Sequence, residues 1–100
     1  MANDLTTNPR IVDVVVTAGA TVDMITSPTR VNLIQWVNLG SGEIADGSDL
    51  TLSINAMSVN IKAQGTPREV AYEASFPNGM LISYLNVGLM DKGAVLVWTV

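Results

Sequence analysis

The chain contains no cysteine and no histidine. The first absence excludes disulfides, iron–sulfur clusters and thiolate metal sites; the second removes the usual general base and the commonest metal ligand. Charge is scarce, at 14% of the 100 residues. Nine acidic against five basic side chains leave a net charge of −4, and Arg10, Arg30, Lys62, Arg68 and Lys92 are scattered. A negative surface without a basic patch repels phosphate backbones, so no nucleic-acid partner is expected. Long apolar runs are also missing. The longest, Met80–Met90, is broken by Ser83, Asn86 and Gly88, and it falls short of the ~20 residues of a spanning helix. No membrane partner is expected, nor is a signal peptide, because no basic segment leads into an apolar core at the N-terminus. Nowhere does an apolar stripe repeat every 3.6 residues.

What the chain does have is β chemistry. Hydrophobic residues make up 48% of it, on the apolar side for a soluble protein, and its length suits one domain. Short stretches rich in Val, Ile and Thr, separated by Gly, Asn, Ser and Pro, read as strands near 10–16, 21–25, 30–38, 49–54, 57–62, 69–76, 80–87 and 93–100. The expected fold is all-β: an antiparallel β-sandwich or jelly roll of about eight short strands over 11–100, preceded by an extended polar N-terminal arm, 1–10.

Asp49–Lys62 carries the clearest local signal. Leu50, Leu52 and Ile54 alternate with polar residues, as do Met57, Val59 and Ile61. A two-residue turn at Asn55-Ala56 sets Ile54 opposite Met57, Leu52 opposite Val59 and Leu50 opposite Ile61. The same register faces Asp49 with Lys62 on the wet side. Phe76-Pro77-Asn78-Gly79 has the chemistry of a tight turn and is expected to join 69–76 to 80–87 as a hairpin. Asp91-Lys92-Gly93 is expected to turn the chain before the last strand, and the Gly-rich stretch Leu39–Ser48 to cross between sheets.

Four segments, Arg10–Val16, Val31–Leu39, Met80–Val87 and Ala94–Val100, are apolar on both faces. A half-buried strand alternates instead, so these four call for cover on two sides. A short chain supplies little such cover, which points to packing against other subunits. The last strand, ending Val97-Trp98-Thr99-Val100, is expected centrally in a sheet or along a covered edge.

Catalytic and ligand signals fail on their own chemistry. Gly40-Ser41-Gly42-Glu43 lacks the lysine and the following helix of a phosphate loop. Glu43, Asp46 and Asp49 lack the spacing of a calcium loop, although several oxygens there suit a cation. Glu69 and Glu73 lie about 13 Å apart along a strand, beyond the reach of a glycosidase pair. Lys62 and Lys92 sit in solvated settings that leave a lysine a poor base. No enzyme activity, cofactor or metal is expected. Trp36, Tyr72, Tyr84 and Trp98 suit anchoring in a core or interface, or an aromatic platform for sugars. The residues expected at an interface are Val12, Val14, Val16, Trp36, Tyr84 and Trp98.

The polar start, the Val-rich strands with Thr/Gly/Ser/Asn turns, the Phe76-Pro77-Asn78-Gly79 turn and the terminal Gly93-Ala94-Val95-Leu96-Val97-Trp98-Thr99-Val100 strand together resemble the small virion proteins of tailed bacteriophages, notably head decoration (cement) proteins. The resemblance is one of character along the whole chain and maps no residue roles. It implies a structural subunit made in the host cytoplasm and placed on the capsid surface. Such a subunit would form homo-oligomers or bind the major capsid protein through apolar surfaces and its arm. Two alternatives stand beside it. A carbohydrate- or receptor-binding module of tail-fibre or lectin type requires a polar, aromatic-bearing pocket on one rim. A small oligomeric β-barrel requires a closed ring.

Overall fold

The computed structural model describes residues 3–13, 15–17, 19–38, 44–65 and 69–100. They form eight strands: β1 (Arg10–Val12), β2 (Val22–Ile25), β3 (Thr29–Val37), β4 (Asp49–Ile54), β5 (Met57–Lys62), β6 (Val70–Ile82), β7 (Leu85–Met90) and β8 (Ala94–Thr99). There is no helix among the described residues. One sheet runs β1-β8-β3-β6 and the other β2-β7-β4-β5. Every pairing is antiparallel. First with eighth, second with seventh, third with sixth and fourth with fifth all pair, as in one long hairpin with its tip at β4–β5. Rolling that hairpin over itself adds the β3–β8 and β4–β7 pairings and gives a jelly roll, a β-sandwich of two Greek keys.

The β4–β5 hairpin has the register read from its alternation. Ile54 faces Met57, Leu52 faces Val59, Leu50 faces Ile61 and Asp49 faces Lys62. Asn55 takes the left-handed conformation the turn requires (φ 54°). The Lys62 ammonium donates to the Asp49 carboxylate at 2.8 Å. Both side chains meet solvent, so the pair contributes only about 0.2–1 kcal/mol.

Two of the doubly apolar segments owe their character to the chain changing layers partway along. In Arg10–Val16, Val12 belongs to β1 of the first sheet, whereas Val16 bridges Met90 of the second. In Met80–Val87, Ile82 ends β6 and Leu85 and Val87 belong to β7. All five of these aliphatic side chains are buried. In Val31–Leu39 a bulge at Asn32 shifts the phase, so Val31, Ile34 and Trp36 all point into the core. Cover expected from other subunits therefore comes largely from the chain itself. The final strand β8 lies between β1 and β3, as expected, with Val95 and Val97 inward.

Phe76-Pro77-Asn78-Gly79 does not turn the chain. Val31 pairs with Met80 and Leu33 with Ser75, so the four residues form a wide bulge opposite Asn32 within a single strand. Turn chemistry is local: a proline and a glycine with φ of 76° suit a bulge as well as a hairpin. Pairing with the long β3 on both sides of the bulge keeps β6 one strand. The chain instead changes sheets at Ser83-Tyr84, where the Asn55 side chain accepts the Ser83 N–H (2.9 Å) and the Asn55 N–H donates to the Tyr84 carbonyl (2.8 Å).

The segment expected as an extended arm, 1–10, is tied down over its described residues. The Asp4 and Ile11 backbones exchange two hydrogen bonds, at 2.8 and 2.7 Å, and Leu5 packs against the core. The Thr6 hydroxyl and N–H donate to the Asp4 carboxylate at 2.7 and 3.0 Å. Asn8 bridges to Thr99 of β8 through both its amide nitrogen and its amide oxygen. Polar composition marked this stretch as solvent-facing, but these side chains bond the backbone instead of extending away from it.

Candidate functional site

The structure divides the six expected interface residues. Val12, Val16 and Trp36 are at most 2% exposed and belong to the core of this one chain. The Trp36 indole N–H donates to the Lys92 carbonyl (2.8 Å), tying β3 to the turn before β8. Val14 lies outside the described residues. Tyr84 and Trp98 are each 37% exposed, but in different layers. Trp98 is on the outer face of the first sheet. Tyr84 stands beside Asp23 of the second, and partial desolvation, with the Asp23 carboxylate adding to it, raises the phenol above its ordinary pKa. The five described residues do not make one surface. In a strand apolar on both sides, alternation gives two faces without saying which is inward.

The remaining sequence candidates are occupied locally. Asp46 accepts the Gly65 N–H (2.8 Å), and Asp49 holds Lys62. Gly40-Ser41-Gly42-Glu43 lies outside the described residues. Glu69 and Glu73 are both exposed.

Sequence reasoning missed an apolar groove of about 550 Å³, lined by Ile54, Asn55, Ala56, Met57, Phe76 and Met80. The Asn55-Ala56 turn forms one wall and the 76–79 bulge of β6 the other. Its position follows from the topology. β5 and β6 end their respective sheets, and inward residues on an edge strand have a neighbour on one side only. On the opposite side β1 and β2 approach each other, and Val12, Met24 and Ile25 are buried. On the groove side Met57 is 67% exposed, though it sits on the apolar face of its hairpin. Alternation marks Met57 as inward-facing, but nothing local reveals that the sandwich is open beside it.

The two edges also differ in how they are guarded. β6 carries Pro77 and the bulge, devices that discourage pairing with another chain. β5 reads Met-Ser-Val-Asn-Ile-Lys, without proline, glycine or bulge.

A second concavity, of about 340 Å³, lies on the outer face of the first sheet and is lined by Asn32, Leu33, Glu73, Ser75, Pro77 and Trp98. It forms where the β3 bulge meets the β6 bulge, with β8 alongside. The chain matches no protein-family model, and no curated protein or solved structure is significantly similar to it.

Proposed function

We propose that the protein is a structural assembly subunit, a jelly-roll module that acts by docking against another protein. The observation that supports this most directly is the open side of the sandwich, where an apolar groove runs between the edge strands β5 and β6. Burying a methionine side chain fully contributes about 1.5–3 kcal/mol, and most of Met57 is still in water. In the particular reading, the subunit is a phage head decoration protein whose groove seats an apolar segment of the major capsid protein. That reading rests on the character of the sequence. The fold adds an analogy only, because jelly rolls recur in capsids and lectins alike. The N-terminal segment is left out of the docking surface, since its described residues are bound to β1 and β8.

Light scattering after size exclusion, binding of a hydrophobic dye, and affinity copurification from phage-infected cells test the proposal together. Dye binding that falls in Met57→Asp, with a capsid protein copurifying with the parent chain but not with the variant, is the expected result. A monomer that binds no dye and retains no virion protein would refute it.

A further inference from the structure

The concavity beside Trp98 is on a different face from the docking groove and has different chemistry. Trp98 of β8 faces Leu33 of β3, and Leu33 faces Ser75 of β6. Trp98 and Ser75 therefore flank a depression two strand spacings wide, about 10 Å. The double bulge makes this face concave, where a regular sheet would be flat: four residues of β6 oppose Asn32. Bulges of this kind re-aim side chains and recur beside functional sites.

We propose that this depression binds one ring of a neutral saccharide. The Trp98 indole N–H donates to the Gln35 side-chain oxygen (3.1 Å). That bond orients the ring and occupies its polar edge, so what Trp98 offers a ligand is its apolar face. A pyranose ring presents a matching patch of C–H groups, with hydroxyls around its rim. The rim meets the Glu73 carboxylate and the Ser75 hydroxyl, which line the same depression. Asn32 also lines the depression, with its side-chain oxygen buried below the surface.

The same residues argue against other ligands. Glu73 and the net charge of −4 disfavour phosphates and sulfates. A quaternary ammonium group prefers a cage of several aromatic rings, and among the described residues Trp98 is the only aromatic lining this depression. The volume lies at the low end for ligand pockets, about 300–1,000 Å³, which suits one ring of a longer glycan.

Amide and indole NMR spectra of the full chain test the proposal, because the two tryptophans give separate N–H signals. Trp36 is the internal control, buried and bonded to Lys92. The probes are malto-, cello-, chito- and galacto-oligosaccharides, with choline and inorganic phosphate as charged competitors. With each probe at about 10 mM, ten times a millimolar dissociation constant, one neutral saccharide family is expected to shift Trp98, Glu73 and Ser75 saturably and leave Trp36 in place. Glu73→Gln is expected to weaken that binding about tenfold, and Trp98→Ala to abolish it. Should Trp98→Ala misfold, Glu73→Gln and Ser75→Ala, both at exposed positions, decide the matter. The proposal is overturned if no saccharide moves Trp98, if choline or phosphate moves it instead, or if Glu73→Gln binds as tightly as the parent.

Discussion

Replacing Gly93 by alanine isolates the geometry on which the β7–β8 crossing depends. Gly93 has φ of 78°, and a Cβ there would lie 2.6 Å from the Val37 carbonyl oxygen and 2.7 Å from both Cγ1 and Cδ1 of Ile44. Gly47 is the natural control: its φ is 85°, and among the described residues nothing beyond its chain neighbours lies within 4 Å of the corresponding Cβ. Both substitutions incur the left-handed backbone cost of about 1–2 kcal/mol, and both restrict the unfolded chain equally. Only Gly93→Ala adds overpacking. The obstructing oxygen is backbone at the end of β3, where Val37 pairs with Ala94 of β8, and it cannot swing aside like a side-chain tip. Overpacking a dense core costs about 1–3 kcal/mol, so Gly93→Ala should lose about 2–5 kcal/mol in all. Urea unfolding followed by tryptophan fluorescence would measure this as a midpoint shift of roughly 1–2 M. Gly47→Ala should shift about half as far or less. If the two variants lose the same stability within about 0.5 kcal/mol, the steric account of the Gly93 corner is wrong.

Trp36→Phe should destabilise far more than Trp98→Phe, although both remove one indole. The first leaves the Lys92 carbonyl without its donor, at about 1–3 kcal/mol, and opens a void in the core. Thermal scans would show a fall of roughly 4–8 °C per kcal/mol. Acid should release the fold-back of residues 3–11. The two Thr6 hydrogen bonds, the side-chain bond first, hold the Asp4 carboxyl below the ordinary carboxylate value. A depressed folded-state pKa gives stabilisation that is present above the unfolded value and lost as pH falls through the folded one. Exchange protection of the Thr6 amide should therefore hold at neutral pH, begin to weaken near about pH 4 and be lost only as pH falls below the lowered Asp4 value. Protection that persists unchanged through pH 2 would contradict this assignment.

The candidate sites were less legible in the sequence than the fold, and the residues show why. The sequence singles out Trp98 but groups it with Trp36, which is buried. Spacing rules Glu73 out as half of a catalytic pair, and the structure makes it one wall of a depression. In the sequence Met57 is one more apolar position in a hairpin. In each case the missing fact was which element lies across from the residue, and that is set by strands distant in the chain.

By itself the sequence determined the β character of the domain, the whole β4–β5 register and the need of a doubly apolar final strand for a central or covered place. These follow from two-residue alternation, turn chemistry and cross-strand pairs, all of which act within a few residues. Only the tertiary structure decided the jelly-roll order, the inward face of each apolar strand and the conversion of Phe76–Gly79 from turn to bulge. It also decided where the sandwich stays open. Those outcomes depend on long-range pairing with β3, β7 and β8, and a local pattern that fits both a turn and a bulge cannot choose between them.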